Sequence, residues 1–254
     1  MKVAVGMAFA CAAVAAAGQP LREMRFVTEP LPPYSALVDG QATGPMVDVL
    51  QAACARLAWR CPVEILPWRR ALRMAQAGEV PGLFAIVTPP TTRPRFHVSP
   101  PVIDARYVLF ARAANPLQFG DAPQLAGRTL GVYGPSAAED AARALIQPVA
   151  TARAEIETDN RTLLRKLAAG RYGDDGLALA NEAVAQQLIR DDDITGLRVA
   201  GEVKRFGYAF GLNRERVDAA DAAAFAKALN ELCASGRMAE LLKPYGLPAS
   251  ACVK

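Results

Sequence analysis

The chain has 254 residues, which is enough for one large domain or for two lobes of modest size. A hydrophobic fraction of 52% and a charged fraction of 21% allow a packed core and exclude an intrinsically disordered chain. The formal net charge of +4 does not indicate nucleic-acid binding, because runs of Lys and Arg with interleaved aromatic residues are missing.

The N-terminus has the layout of a cleavable secretory signal. One cation precedes an apolar stretch at 3–14, and small residues follow at 15–18. The apolar stretch is shorter than the about 20 residues that a transmembrane helix needs. We therefore predict a signal peptide over residues 1–19 and a periplasmic protein. A lipoprotein attached through Cys11 is the alternative, although the residues before Cys11 fit a lipid-attachment motif poorly.

Removal of this signal leaves four cysteines in a compartment where disulfides persist. They are Cys54, Cys61, Cys233 and Cys252. Three pairings are open, and we favour Cys54 with Cys61 and Cys233 with Cys252, because the partners in each pair are close in sequence. A zinc site is the alternative, but neither a C-x-x-C spacing nor a pair of histidines accompanies these residues. We expect two disulfides and no metal.

Strands and helices alternate along the first part of the mature chain. The predicted strands lie at 24–28, 62–66, 83–87 and 107–111. The predicted helices lie at 44–59 and from Pro67 to Gly78. This alternation is typical of a parallel sheet with helices on its faces.

The same alternation then occurs a second time. Further strands are predicted at 128–132, 154–157, 177–180 and 205–212. Further helices are predicted at 136–146, 159–169, from 181, at 217–234 and at 237–242. Because the pattern occurs twice, we predict an α/β fold with two lobes, each a mainly parallel sheet flanked by helices.

Short motifs along the mature chain occur in a characteristic order. They include Thr28-Glu29-Pro30, Pro32-Pro33-Tyr34, Val47-Asp48-Val49-Leu50, Pro67-Trp68-Arg69-Arg70-Ala71, Thr88 through Arg93, and Ala138-Glu139-Asp140. In this order the chain resembles the family 3 extracellular solute-binding proteins, the amino-acid-binding group with a type II periplasmic-binding fold. The resemblance implies that two crossover strands join lobe 1, at 20–110 and 206–254, to lobe 2, at 111–205.

The resemblance, together with the loops that follow the strands, indicates the candidate ligand-binding residues. They are Glu29, Tyr34, Trp68, Arg70, Thr88, Arg93, Ser136 and Asn181. By analogy with the family, Arg93 grips a ligand carboxylate with two parallel hydrogen bonds, and Thr88 offers a hydroxyl to the same group. Arg95 is the alternative, because the spacing to Phe96 departs from the family pattern by a residue.

The other candidates combine a structural role with a functional one. We expect Tyr34 and Trp68 to form aromatic walls of the site. Ser136 is expected to cap a helix whose N-terminus attracts an anion. Arg70 is either a ligand contact or the ion-pair partner of a nearby glutamate.

Asn181 departs from the pattern of the amino-acid binders in this family, which place an aspartate there for the ligand's ammonium group. A buried ammonium without a counter-charge is costly. Either Glu29 or Glu182 therefore replaces the aspartate, or the ligand is a different carboxylate or polar solute. The structural alternative for Asn181 is a helix N-cap.

Motifs for enzyme chemistry are missing from the sequence. His97 is the single histidine, and no Gly-x-Ser-x-Gly elbow, phosphate loop or dinucleotide fingerprint occurs. We therefore predict a monomeric binding protein without cofactor, which captures a small polar, carboxylate-bearing solute by hinge closure and delivers it to an ABC-type transporter. A carboxylate-dependent, dehydratase-like lyase and a sensory or accessory binding protein without a transporter are the alternatives.

Overall fold

The computed structural model describes residues 21–87 and 95–252, within which thirteen strands and seven helices occur. The strands are β1 (Arg22–Glu23), β2 (Phe26–Thr28), β3 (Ala36–Val38), β4 (Gln41–Thr43), β5 (Trp59–Arg60), β6 (Val63–Ile65), β7 (Gly82–Val87), β8 (Phe96–Val98), β9 (Ile103–Arg112), β10 (Thr129–Tyr133), β11 (Arg153–Glu157), β12 (Leu177–Asn181) and β13 (Leu197–Asn213). The helices are α1 (Pro45–Arg56), α2 (Trp68–Gln76), α3 (Ala137–Ile146), α4 (Asn160–Ala168), α5 (Glu182–Asp191), α6 (Ala219–Ala234) and α7 (Arg237–Leu242). The signal peptide predicted at 1–19 lies outside the described residues.

Nine strands form one mixed sheet that extends through both halves of the molecule. The order is β11-β10-β12-β9-β13-β7-β2-β6, and β8 pairs with β13. Strands β2, β6 and β7 pair in parallel in lobe 1, and β10, β11 and β12 pair in parallel in lobe 2. The long strands β9 and β13 run antiparallel to each other between these groups. The predicted α/β fold with two crossover strands is confirmed, whereas the residue boundaries of the lobes stay a prediction.

Four phenylalanines form the centre of the lobe 1 core. Phe26 on β2 and Phe210 on β13 pack against each other and against both Phe84 on β7 and Phe225 on α6, with ring centroids 5.5 to 6.5 Å apart. All four side chains are fully buried, and aromatic pairs at such distances add to the free energy of area burial. This core holds the carboxyl ends of β2 and β7 in fixed positions.

The lobe 2 core is packed closely enough to require a glycine. Leu163 on α4 and Tyr172 are buried against β10. A Cβ atom at Gly131 on β10 would lie 2.5 Å from the Tyr172 ring and 2.8 Å from Leu163. Only a residue without a side chain fits there, so the helix layer sits directly on the strand that leads to the cleft.

Both predicted disulfides are present in the structure. Cys54 near the end of α1 is bonded to Cys61, just before β6. Cys233 on α6 is bonded to Cys252 in the C-terminal segment. The pairing favoured from sequence proximity is therefore the observed one.

The structure differs from the predicted elements in a few places. A hairpin of β3 and β4 was not predicted, although Asp39 and Gly40 form its turn with positive φ angles of 49° and 75°. Its apolar residues are exposed, so the strands lack the half-buried alternation by which strands are recognised. Pro67 is the N-cap of α2, one residue before the helix begins.

In the described ranges, the helices are too short or too polar to cross a membrane.

Candidate functional site

A cleft of about 420 Å³ lies between the lobes, at the carboxyl ends of the strands. Glu29 directly follows β2, Tyr133 ends β10 and Asn181 ends β12. The polar and aromatic lining residues are Glu29, Trp68, Gln76, Tyr107, Tyr133, Ser136, Glu139, Asp140, Asn160, Asn181 and Tyr208. Ligands of open α/β sheets bind at this edge, and the volume suits a small molecule.

A hydrogen bond between Tyr133 and Glu29 crosses the cleft. The Tyr133 hydroxyl of lobe 2 donates to Oε2 of Glu29 in lobe 1 at 2.9 Å. Burial raises the pKa of the Glu29 carboxyl to about 7, although the hydrogen bond from Tyr133 partly opposes the rise. Burial and the Glu29 charge raise the pKa of the Tyr133 hydroxyl, so it stays a neutral donor. Tyr133 was not among the candidates from the sequence.

Arg69 forms a second connection between the lobes. Its Nη2 donates a hydrogen bond to the carbonyl oxygen of Gly134 at 3.3 Å. The prediction selected Arg70. Both arginines are exposed and neither is a lining residue of the cleft, but Arg69 is the one that contacts lobe 2. Trp68, Leu72 and Gln76 all line the cleft, so they define the face of α2 that points to it. By the helical period, Arg69 lies close to this face and Arg70 lies on the other side of the helix, so the period distinguishes the two arginines.

Asn181 is a helix N-cap whose amide is used within the protein. Its Oδ1 accepts a hydrogen bond from the Val184 amide at 3.1 Å, and its Nδ2 donates to the Tyr208 hydroxyl at 3.1 Å. The Tyr34 hydroxyl lies 3.4 Å from Oδ1 and 3.3 Å from Nδ2. The amide is therefore held by helix α5 and two tyrosines.

Tyr34 does not form the aromatic wall that the sequence suggested. It is buried behind Asn181, with its ring edge-to-face against Tyr208 at 4.7 Å, and it does not line the cleft. Burial raises the pKa of its hydroxyl to about 12, so it remains a neutral partner of Asn181. Tyr107 and Tyr208 line the cleft instead, and Trp68 lines it as predicted.

Ser136 caps α3, as predicted, and it also lines the cleft. Its Oγ accepts hydrogen bonds from the amides of Ala138 at 3.1 Å and Glu139 at 3.3 Å. The hydroxyl donates to the carbonyl oxygen of Tyr133 at 2.6 Å. The cap thereby fixes the end of β10, which carries the Tyr133 side chain.

Two predicted ligand contacts, Thr88 and Arg93, lie outside the described residues, and their roles stay predictions. The alternative to Arg93 is described. Arg95 is exposed and donates a hydrogen bond to the carbonyl oxygen of Gln76 at 3.2 Å, at the end of α2. Arg95 does not line the cleft.

Glu182 lies in a different cavity from Glu29. It forms an ion pair with Arg106 on β9. With Arg106 it lines a second cavity of about 580 Å³, which also contains Asp104 and Arg205 and does not include Glu29. Asn181 borders both cavities and separates Glu182 from the cleft.

A mixed sheet crossed twice by the chain, with a cleft between its halves, is the architecture of the type II periplasmic-binding proteins. The chain belongs to the bacterial extracellular solute-binding proteins, family 3, whose model matches residues 24–248. A comparison with curated protein sequences found no match.

Solved structures share this fold at low sequence identity. A histidine kinase sensor domain with similarity to periplasmic binding proteins aligns with a TM-score of 0.79 and 19% identity, over 91% of this chain and 99% of that chain. The arginine-, lysine-, histidine-binding protein ArtJ from Geobacillus stearothermophilus aligns with a TM-score of 0.73 and 18% identity, over 88% and 95%. An ancestral amino-acid-binding protein, described as a precursor of cyclohexadienyl dehydratase, aligns with a TM-score of 0.73 and 16% identity, over 88% and 94%.

Proposed function

We propose that this protein is an exported, periplasmic solute-binding protein that captures a small polar, carboxylate-bearing solute by closure of its lobes. The solute is an amino acid or a related molecule, and it passes unchanged to an ABC-type transporter. The observation that carries the proposal is the pair of hydrogen bonds across the cleft, from Tyr133 to Glu29 and from Arg69 to the carbonyl of Gly134.

Closure on a ligand follows from the way in which both lobes contribute to one cleft. Glu29 and Trp68 come from lobe 1, whereas Tyr133 and Ser136 come from lobe 2. A solute that contacts both sets gains its full interaction only when the lobes are shut. It therefore shifts an open–closed equilibrium by its difference in affinity for the two states. The carboxylate of the solute is assigned to Arg93, as the family resemblance implies.

A ligand screen tests this function directly. The mature protein is stripped of ligand by unfolding and refolding, and its melting temperature is measured with amino acids, opines, polyamines and organic acids. Each hit is verified by calorimetry and recovered for mass analysis after incubation. We expect stabilisation by a carboxylate-bearing solute that is returned intact, and a loss of most of its affinity in Arg93→Ala. No stabilisation by any solute would contradict the proposal.

A lyase of the dehydratase type is the second candidate. Glu29 favours it, because a carboxyl with a pKa of about 7 in a sheltered cleft can donate or accept a proton near neutral pH. Turnover of a prephenate-like or arogenate-like acid, lost in Glu29→Gln, would support the lyase. Recovery of every such acid unchanged would leave the binding protein.

A sensory or accessory role is the third candidate, in which a membrane receptor recognises the closed lobes. A sensor domain is among the solved structures that share the fold. Uptake of the labelled ligand by cells with and without the gene separates the two roles. Reduced uptake in the deletion strain supports transport, and unchanged uptake favours sensing.

A further inference from the structure

The charged side chains of the second cavity lie on the face of the crossover strands that is opposite to the cleft. Tyr107 on β9 lines the cleft, whereas Asp104 and Arg106 on the same strand line the second cavity. Successive side chains of a strand point to opposite faces, so these two residues and Tyr107 lie on different faces of β9. Arg205 on β13 is paired with Arg106 and lies on the same face as it. The cleft and the second cavity therefore lie on opposite sides of the strands that join the lobes.

A gap in the strand pairing opens the second cavity to the edge of β9. Strand β12 pairs with β9 as far as Tyr107, and the C-terminal segment pairs with it at Ile103. Residues 104–106, between these two pairings, all line the cavity. The Asp104 amide donates to the carbonyl of Pro248 at 3.1 Å, but a proline has no N–H to return a bond to the Asp104 carbonyl. The C-terminal segment thus leaves a backbone acceptor open at this edge.

The two arginines of the second cavity already have counter-charges. Arg106 forms ion pairs with Glu182 and Glu202. Arg205 donates two hydrogen bonds to the carboxylate of Glu202, at 2.8 and 2.9 Å. These paired guanidinium groups leave little positive charge for an anionic ligand.

Asp104 has no such counter-charge. Its carboxylate accepts a hydrogen bond from the hydroxyl of Ser250, which is neutral, and it forms no ion pair within residues 21–87 and 95–252. Two aromatic side chains, Tyr34 and Phe206, also line the cavity, and aromatic rings attract cations. Open acceptors, an uncompensated carboxylate and aromatic rings together favour a small organic cation. The cavity volume of about 580 Å³ suits a ligand of that size.

The walls of the second cavity belong to different lobes. Ala183 and Gln186 on α5 come from lobe 2, whereas Leu247 and Pro248 in the C-terminal segment come from lobe 1. Opening of the cleft rotates the lobes about the crossover strands, so walls on the opposite side of these strands approach each other. An occupant of the second cavity resists this approach and thereby favours the closed form.

We propose that the second cavity is a binding site for a small organic ammonium ion, and that its occupation favours closure of the cleft. Asp104 supplies a carboxylate and a backbone carbonyl as acceptors. Glu182 supplies Oε1, since its bond with Arg106 uses Oε2. The ammonium acts as an effector and is not the transported solute, so this site goes beyond the proposed function.

Titration of ammonium ions and their neutral counterparts tests the site. The probes are putrescine with 1,4-butanediol and ethanolamine with ethylene glycol, each added to refolded mature protein. We expect at least one ammonium to bind with a Kd below about 5 mM and its neutral counterpart to bind at least about tenfold more weakly. Ala183→Trp, which fills the cavity, should abolish this binding, and Asp104→Asn should weaken it about three- to tenfold. Asp193→Asn is the matched control, because Asp193 is an exposed aspartate of lobe 2 that lines neither cavity, and it should leave the Kd within about twofold.

A distance measurement across the cleft tests the effect on closure. Nitroxide labels are attached at Arg73→Cys on α2 and at Thr158→Cys before α4, both of which are exposed positions. Double electron–electron resonance then gives the populations of short and long distances between the lobes. Saturating putrescine should reduce the long-distance population at least about twofold, and 1,4-butanediol should leave it unchanged. Ala183→Trp should have the same effect as putrescine without any added ligand.

The remaining outcomes overturn the proposal in distinct ways. Absence of binding by either ammonium, equal binding of its neutral counterpart, or full binding in Ala183→Trp would overturn the site. An unchanged distance distribution with putrescine and in Ala183→Trp would overturn the effect on closure. Neither experiment uses a solute of the cleft, so the screen of carboxylate-bearing solutes decides the proposed function separately.

Discussion

The Tyr133 hydroxyl donates a hydrogen bond to Oε2 of Glu29 at 2.9 Å, and this bond joins the end of β10 in lobe 2 to the loop after β2 in lobe 1. The two residues are 104 positions apart in the chain. Because the acceptor is a carboxyl group with a raised pKa, we expect the contact to couple the closure of the cleft to the protonation of Glu29. The stability, shape and ligand affinity of the protein should all reflect this pair.

The protonation of Glu29 should appear in the pH dependence of stability. Its pKa is about 7 in the folded protein and close to 4.5 in the unfolded chain, so the folded state binds the proton more tightly. The stabilisation is fully present below pH 4.5 and is lost as the pH rises through 7. Relative to Glu29→Gln, the wild-type protein should lose about 2 kcal/mol of unfolding free energy between pH 5 and pH 8. Urea denaturation of both proteins at the two pH values measures this difference, and parallel pH profiles would contradict it.

The two contacts across the cleft should hold the ligand-free protein in its closed form. Tyr133→Phe and Arg69→Ala each remove one hydrogen bond, which should shift the open–closed equilibrium about fivefold, and the double variant should shift it further. Small-angle X-ray scattering would detect the opening as a larger radius of gyration. Arg70→Ala is the matched control, because Arg70 is exposed, as Arg69 is, but makes no hydrogen bond to lobe 2 within the described residues. An unchanged radius in the double variant would show that these bonds do not hold the lobes together.

Asn181 should be more important for stability than an ordinary helix cap. Asn181→Ala removes the cap of α5 and leaves the buried hydroxyls of Tyr34 and Tyr208 without this partner, which should cost about 3 kcal/mol. Ser136→Ala removes a cap at the edge of the cleft and should cost about 1 kcal/mol. Chemical denaturation of the two variants measures both costs. Equal losses would mean that the bonds to the two tyrosines add nothing to the cap.

The disulfides should be complete in the exported protein, and they should contribute unequally to stability. Loop closure predicts about 3 kcal/mol for the bond between Cys233 and Cys252, 19 residues apart, and about 2.5 kcal/mol for Cys54 and Cys61, 7 residues apart. Urea denaturation of the double serine variants measures these contributions. Alkylation of the unreduced protein should add no mass, and four alkylated cysteines would contradict the pairing.

The local elements and the covalent connections could be predicted because their causes lie close together in the sequence. Helix α6 carries apolar residues at helical spacing, and Phe225, Leu229 and Leu232 are buried as that spacing requires. Cysteines seven and nineteen residues apart pair with each other, as their proximity suggested. The hairpin of β3 and β4 was missed, because its exposed strands carry no burial pattern.

The site was predicted only in part, because sequence motifs identify the loops around a cleft but not the direction of each side chain. Trp68 and Ser136 do line the cleft, whereas Tyr34 is buried behind Asn181. The helical period of α2 could have identified Arg69 instead of Arg70, because the period depends only on residues within about two turns. Tyr133 begins one of the loops that follow the predicted strands, but the sequence does not show that its side chain meets Glu29, which it does because β10 ends opposite the loop after β2.

The sequence by itself determined the fold, the family and the disulfide pairing, since periodicity, motif order and short loops are properties of neighbouring residues. Only the tertiary structure placed the two glutamates, Glu29 and Glu182, in different cavities. Asn181 separates them, so Glu182 pairs with Arg106 in one cavity and Glu29 meets Tyr133 in the other. That arrangement depends on how segments more than a hundred residues apart in the chain are oriented, and no local pattern encodes the orientation.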